Sequence, residues 1–520
     1  MKKIITSIII AAFACTSLSS CKKFLDVKPI DKLTGNNFYT SPQDVEAAIN
    51  DLSRKLFGKI TETQFIGATG EYRAGEVASD PTVRGNSSRN PESIAYIDLL
   101  ARNKLIDVLD GGRPWAQGNY NYNFGSITDW RTFYEVIQGA SIVIEKLNEG
   151  IPGVSEEMKK HYIGEAAFAR CFSYFEMVRL YGDVPYYGDA FHIEPLPRES
   201  MVTVLNNCIA DLGAKKDGML WSYGDPALKG VRATRASAIA LLMNMNMWNA
   251  GFDREHARDY YQATANLGKE LVDNEGNHPH RLLPIDQWYL VAGGRSDESL
   301  FEFFQTVNYG VSTNEKAAVA HMFLHYPYKT PFFEWERSSA YYKATYMNSI
   351  FPQDVADRRK EIWFVEMYAN NGFFNFAKLG GVNVNQGGQG TANPDNSFMI
   401  FRYGESLLMY AEALAELGDD GNARTILNRV RTRAQAPAYD GSGQALKDFI
   451  FMERSRELIG EGHHYFDLIR TRRIVSSAWT SSPLTQDQFL RGGWTWPISG
   501  SAIRNNPYIT LTEYWVNGGI

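Results

Sequence analysis

The chain has 520 residues, 44% hydrophobic and 22% charged, a balance that provides a large core and excludes a disordered polymer. Its formal net charge of -6, from 53 Lys and Arg against 59 Asp and Glu, excludes the broad basic footprint that nucleic acid requires. Aromatic residues reach 13%; most must pack helices, and the remainder are available as stacking platforms.

Residues 1–20 read as a signal peptide. Lys2 and Lys3 form a positive n-region, Ile4 to Phe13 an apolar h-region, and Leu18-Ser19-Ser20-Cys21 a small-residue cleavage site ending in cysteine. A plain secretory signal needs no such cysteine, so Cys21 is expected to be a lipid acceptor. Each buried acyl methylene contributes about 0.8 kcal/mol, and several chains together hold a soluble domain on a membrane. Loss of Lys2 and Lys3 leaves 51 basic against 59 acidic residues, a mature charge of -8. No later stretch approaches the roughly 20 apolar residues of a spanning helix, so lipid alone is the expected anchor. Of the other cysteines, Cys15 leaves with the signal. Cys171 and Cys208 lie in apolar helical stretches and read as buried thiols, although an oxidising compartment would also permit their pairing.

Residues 21–40 have little helical periodicity and read as a tether to a folded domain over 41–520. Ser41-Pro42-Gln43-Asp44 is a helix start, with Ser41 as N-cap, Pro42 at the first helical position and Asp44 reaching back. Val45, Ile49, Leu52 and Leu56 make its apolar face, and Gly58 is expected to end it. Trp130, Phe133, Ile137, Ala140, Ile144 and Leu147 recur at alternating three- and four-residue steps, predicting a helix closed by Gly150 and Pro152. The next, from about Glu156 to Tyr181, is apolar on more than one side and should be buried. Further helices are expected over 201–212, 236–248 after Thr234, 254–272, 400–417, 422–433 and 445–459. Within the last group, Leu407, Ala411, Leu414, Gly418, Ala423 and Leu427 arrange small and large apolar residues around a glycine turn, as a tetratricopeptide hairpin does. The expected fold class is therefore all-α, a tetratricopeptide-like helical repeat scaffold with long inserted loops.

Those loops cover about 61–129, 275–297, 306–357 and 380–397, and loops of such length are usually functional. A sugar offers an apolar C–H face to an aromatic ring and hydroxyls to polar side chains. The segment 115–123 holds both kinds of partner in Trp115, Asn119, Tyr120 and Tyr122, and is the first candidate binding loop. Trp288 with Tyr289, and Trp335 with Tyr341 and Tyr342, are the others.

Chemistry has less support. Glu457 and Glu461 lie one helical turn apart and could meet His463 or His464 around a metal, or act as an acid/base pair; an ion-pair lattice with Arg454 and its neighbours is the favoured reading. Glycines 387, 388 and 390 lack the Lys-Ser/Thr of a phosphate loop. No nucleophile elbow, His-Glu-x-x-His pair or calcium loop is found, so no catalytic residue, metal or cofactor is assigned.

Several blocks together resemble the SusD/RagB family of outer-membrane nutrient-binding lipoproteins. They are the cysteine-ended signal followed by Phe24-Leu25-Asp26, Glu165-Ala166-Ala167-Phe168-Ala169-Arg170 running on to Leu180-Tyr181-Gly182-Asp183-Val184-Pro185, Arg402-Tyr403 leading into Leu407-Leu408-Met409-Tyr410-Ala411-Glu412, Glu453-Arg454-Ser455-Arg456-Glu457-Leu458, Phe466-Asp467-Leu468, Trp496-Pro497-Ile498 and Asn506-Pro507. Two departures are Gly404-Glu405, where Ala-Asp often follows Arg-Tyr, and His464, where arginine is common. The resemblance implies a helical-repeat fold and a lipid-anchored, surface-exposed position on the outer membrane. It also implies a TonB-dependent SusC-like transporter as partner, and a glycan as cargo. The alternatives are a peptide cargo, a surface glycoside hydrolase, and a structural partner of the barrel.

Overall fold

The computed structural model describes residues 38–62, 64–79, 94–116, 123–305, 340–365, 367–368, 374–379 and 397–516. The signal peptide and Cys21 lie outside them. Among the described residues nine long helices carry the scaffold: α1 Pro42–Ile60, α2 Arg131–Glu149, α3 Glu156–Tyr181, α4 Met201–Gly213, α5 Arg235–Phe252, α6 Ala257–Asp273, α7 Tyr403–Leu417, α8 Asp420–Arg433 and α9 Gly443–Glu457. From α1 to α8 each packs on the next, and α9 returns onto α7. This is the geometry of a helical repeat, in which one hairpin buries its apolar face against its neighbour.

Local chemistry accounts for the boundaries. At α1, Asp44 accepts from the Thr40 N–H at 3.0 Å and the Ser41 hydroxyl at 2.8 Å. Helix α1 runs through Gly58 to Ile60, two residues past the expected end. Helix α3 has the predicted bounds, opened by the Ser155 hydroxyl accepting from Met158 N–H and closed at Gly182. It is buried on nearly every side because α1, α2, α4 and α5 all touch it, as its all-round apolarity required. Thr234 and Ser237 form a reciprocal capping box at α5. The α7–α8 hairpin turns at Gly418, whose φ of +86° is the left-handed exit that glycine supplies without strain.

One expected boundary is wrong. Residues 400–402, expected as the first turn of a helix over 400–417, end strand β6, Phe398–Arg402, antiparallel to β2, Ser299–Phe303. A short continuous apolar run has no period that separates strand from buried helix. Two smaller antiparallel pairs join β1, Val77–Ser79, to β3, Ala340–Tyr342, and β4, Phe364–Val365, to β5, Asn375–Phe376. Cys171 and Cys208 are buried free thiols, the Cys171 Sγ lying 3.5 Å from the Cys208 carbonyl oxygen. No helix among the described residues is long and apolar enough to cross a membrane.

Candidate functional site

The two chemically suggestive regions of the chain resolve differently. The Glu- and Arg-rich segment becomes a closed ion-pair lattice where α7, α8 and α9 meet. Glu457, on the last turn of α9, receives Arg359 at 2.8 Å, Arg402 at 2.7 Å, and Arg433. Glu453 receives Arg359 and Arg431 at 2.6 Å and Arg456 at 2.9 Å. Arg402 also grips Glu461 at 2.8 Å, and Lys378 donates to Glu461 at 2.5 Å and to the Glu457 and Ile459 carbonyls, covering the negative end of α9. Burial pushes each carboxyl up, but the surrounding guanidinium groups outweigh it, and Glu453 and Glu461 are held down at about 2. Glu457 is held well below the carboxylate range for the same reason. Carboxylates so engaged do not shuttle protons near neutrality, and their oxygens are already occupied. Among the described residues no group of three His, Cys, Asp or Glu is placed to hold a metal.

The lattice explains one departure from the family pattern. A Cβ on residue 404 would lie 2.6 Å from Arg402 Nη1, so Gly404 leaves room for the guanidinium. Glu405 beside it reaches Arg454 at 3.6 Å.

The predicted aromatic platforms mostly turn inward. Trp115 is 2% exposed and its indole donates to the Val108 carbonyl at 3.1 Å. Trp288 is buried edge-on to Trp363, centroids 4.7 Å apart, and donates to the Lys378 carbonyl at 2.8 Å. The buried Tyr342 hydroxyl donates to Glu71 at 2.7 Å. These three pack the scaffold and offer no stacking face; hydrophobic burial next to a backbone carbonyl outweighs exposure for an indole. Tyr341 is half-buried on β3, and Tyr289 stands 55% exposed. Asn119, Tyr120, Tyr122 and Trp335 lie outside the described residues.

The structure instead forms a cavity of about 250 Å³ from three distant segments: 129–134 at the start of α2, 185–196 after α3, and 501–509 near the C-terminus. Its wall is a run of rings. Trp130 meets Tyr134 edge-on, centroids 5.6 Å apart at 89°. Tyr134 stacks on Tyr187 at 5.8 Å, and Tyr187 on His192 at 4.9 Å, with planes within 14° and 13°. The helix places Trp130 and Tyr134 one turn apart on a common face, and Tyr186-Tyr187 follows the loop that Gly182 and Pro185 open.

Polar contacts hold this wall. The Tyr134 hydroxyl donates to the Pro185 carbonyl at 2.8 Å, and burial pushes its phenol well above the ordinary range. Arg198 lies 5.4 Å over the Trp130 ring and donates to the Asp183 carbonyl at 2.6 Å and the Thr510 carbonyl at 2.9 Å, tying the C-terminal segment to the loop. Asn506 donates to the Leu196 carbonyl at 2.7 Å. The His192 ring nitrogens face Asp189 at 3.2 Å and the Glu194 carbonyl at 2.6 Å. At the rim Asp129 pairs with Arg131 at 2.5 Å, and those hydrogen bonds hold its carboxyl below the usual range.

Sequence reasoning assigned Trp130 to a packing seam and passed over Tyr134, Tyr187 and His192. The available signal was Pro185-Tyr186-Tyr187-Gly188, two aromatics set in a turn after a buried helix. The convergence of residues over 370 positions apart had none.

The pattern of the SusD family matches residues 302–515, and one described as starch-binding, associating with outer membrane, matches 23–245. A SusD-like protein of Formosa agariphila is 24% identical over 94% of this chain and 95% of its own. Surface glycan-binding protein A from Bacteroides uniformis shares the fold, with 20% identity and a TM-score of 0.67 over 91% of this chain and 99% of that one. A solved SusD homologue from Bacteroides thetaiotaomicron is 34% identical, with a TM-score of 0.80 over 91% of this chain and 98% of that one. A match that close over nearly the whole of both chains, with the same helical-repeat fold, means that this chain belongs to the SusD family.

Proposed function

We propose that the protein is a lipid-anchored carbohydrate-binding lipoprotein of the outer membrane, which captures a glycan at the cell surface and passes it to a TonB-dependent SusC-like transporter. The observation that carries the capture step is the cavity at Trp130, Tyr134, Tyr187 and His192. Its apolar corner can receive the C–H face of a sugar ring, and its rim of Asp129, Arg131, Glu194 and Asn506 can meet hydroxyls. The volume, about 250 Å³, lies just below the usual range for ligand pockets, which suits one segment of a longer oligomer. Weak capture follows from a half-open site and is compatible with handing cargo on. Anchoring rests on Cys21, and family membership supports the surface position and the partner.

The reading is one of binding without chemistry: Asp129 is committed to Arg131 and poorly suited to donate a proton. Retention of the full chain, in detergent, on a panel of polysaccharides and peptides tests it. Selective glycan retention that weakens about tenfold in Tyr134→Ala is the expected result. Retention of peptides alone, or release of reducing ends from a polysaccharide, would replace it.

A further inference from the structure

A separate cavity of about 450 Å³ opens where α5, α6, α7 and α9 meet the short helix His464–Arg470 and the turn after it. It shares no lining residue with the aromatic cavity. Each lining carboxylate is paired with a lining cation, and Arg470 is also shared with Asp467. Glu412 accepts from Arg470 at 2.7 Å, Glu416 from Lys447 at 2.8 Å, and Asp448 from Arg473 at 2.6 Å.

One cation remains. Arg254 is exposed at the cavity and makes no hydrogen bond or ion pair among the described residues. The Tyr261 hydroxyl on α6 is likewise without a hydrogen bond among them; burial first, then Glu416 and Glu412, push its phenol up to about 12, so it stays a donor. The buried Nε of Arg473 also lacks a hydrogen-bond partner. Trp479, edge-on to Phe451 at 5.2 Å and with the Arg473 guanidinium 4.6 Å over its ring, adds an indole to the wall.

The backbone is bent to build this wall. Arg472 has a φ of +58°, a left-handed conformation that is strained for a non-glycine residue. That single turn ends the helix and allows Arg470 and Arg473 both to line the cavity. Strain of this kind persists where surrounding contacts require it, and it clusters at binding sites.

We propose that this cavity is a second sugar subsite, selective for a unit carrying one carboxylate, a uronic acid. Arg254 pairs with the carboxylate and Tyr261 donates to a ring substituent, while Trp479, capped by Arg473, serves as wall. Arg254 is the one lining cation without an ion pair among the described residues, and Arg472, close enough to feel its charge, has none there either, so an anion is favoured and a neutral sugar gains no advantage. The choice of a sugar rests on the carbohydrate reading above; the demand for one anion does not.

The test is calorimetric titration of the full chain, in detergent at low salt, with glucuronate, galacturonate and glucose. Binding of a uronate but not of glucose is expected, weakened at least tenfold in Arg254→Ala and in part restored in Arg254→Lys. Arg254 is exposed, so an unchanged melting curve separates loss of binding from loss of fold. Absence of binding by both uronates, equal binding of glucose, or uronate binding that survives Arg254→Ala overturns the proposal. Competition distinguishes it from the first cavity: a neutral polysaccharide retained there should not displace the uronate, and displacement would also overturn the proposal. Failure of every neutral glycan would count against the first cavity alone.

Discussion

Around Glu457 three guanidinium groups close on one carboxylate with no space between them, whereas around Tyr187 three rings and a histidine line a cavity whose rim groups still face solvent. Both regions are dense in side chains that do chemistry elsewhere. The difference is saturation: at the lattice both oxygens of Glu453, Glu457 and Glu461 are engaged by buried cations, and at the cavity the aromatic wall is held from behind while its front remains uncovered. A charge-rich sequence segment is therefore more informative about scaffold than about site. A buried charge survives only when paired, and pairing consumes its capacity to bind anything else.

The sharpest way to break that contrast is to open the lattice. Glu457→Ala leaves Arg359, Arg402 and Arg433 buried without their shared partner, and should cost about 3–5 kcal/mol, measured by denaturant unfolding, with ligand retention intact in the fraction that folds. Trp288→Ala removes a packed indole from the same junction and should cost about 3 kcal/mol, again without changing retention. Glycan loss in this variant at undiminished stability would return Trp288 to the binding surface.

Acid should act on the lattice in a definite direction. An unfolded glutamate titrates near about 4.3, and Glu453 and Glu461 are held at about 2 in the fold. Their folded values are depressed, so their contribution is complete above the unfolded value and is lost as pH falls from about 4.5 through about 2, on the order of 3 kcal/mol for each. The melting temperature should drop steeply over that window and change little between pH 6 and 8 on account of these groups. A flat profile down to pH 2 would mean that folding leaves the titration of these carboxylates unchanged, and a rise on acidification that they are neutral in the fold.

How much of this was legible in the chain follows from the same contrast. Helices whose apolar faces repeat at 3.6 residues, such as α1 and α2, could be read directly, and so could the Gly418 turn, because periodicity and capping are local. The strand at Phe398–Arg402 could not, since five mostly apolar residues carry no decisive period and its partner β2 lies far away in sequence. For the aromatics, position in a long loop was the wrong guide. Trp115 and Trp288 sit outside the long helices, yet each finds a backbone carbonyl and a packed ring inside the fold. Tyr134, on a helix, lines the cavity because the 185–196 segment and the C-terminal segment meet over it, and no local pattern announces a meeting of three segments.

At the cavity the expected effects are smaller and fall on binding. Tyr187→Ala interrupts the stack between Tyr134 and His192 and should lower glycan affinity about tenfold, in line with roughly 0.5–1.5 kcal/mol for an aromatic pair and the contacts it orders. A loss of stability above about 3 kcal/mol with unchanged affinity would make that stack scaffold too, and the contrast with the lattice would fail.

Tyr289→Ala is the smallest and the most discriminating change. Among the described rings proposed from sequence as platforms, it is the one that stands mostly in solvent, so its removal should alter stability by no more than about 0.5 kcal/mol. Its stacking face is uncommitted, unlike those of Trp115 and Trp288. If glycan retention falls in Tyr289→Ala while the melting curve is unmoved, capture extends over the surface beyond the aromatic cavity and the protein holds a polymer at more than one point. If retention is unchanged, the ring is ordinary exposed surface, and capture stays with residues that the fold has drawn together from opposite ends of the chain.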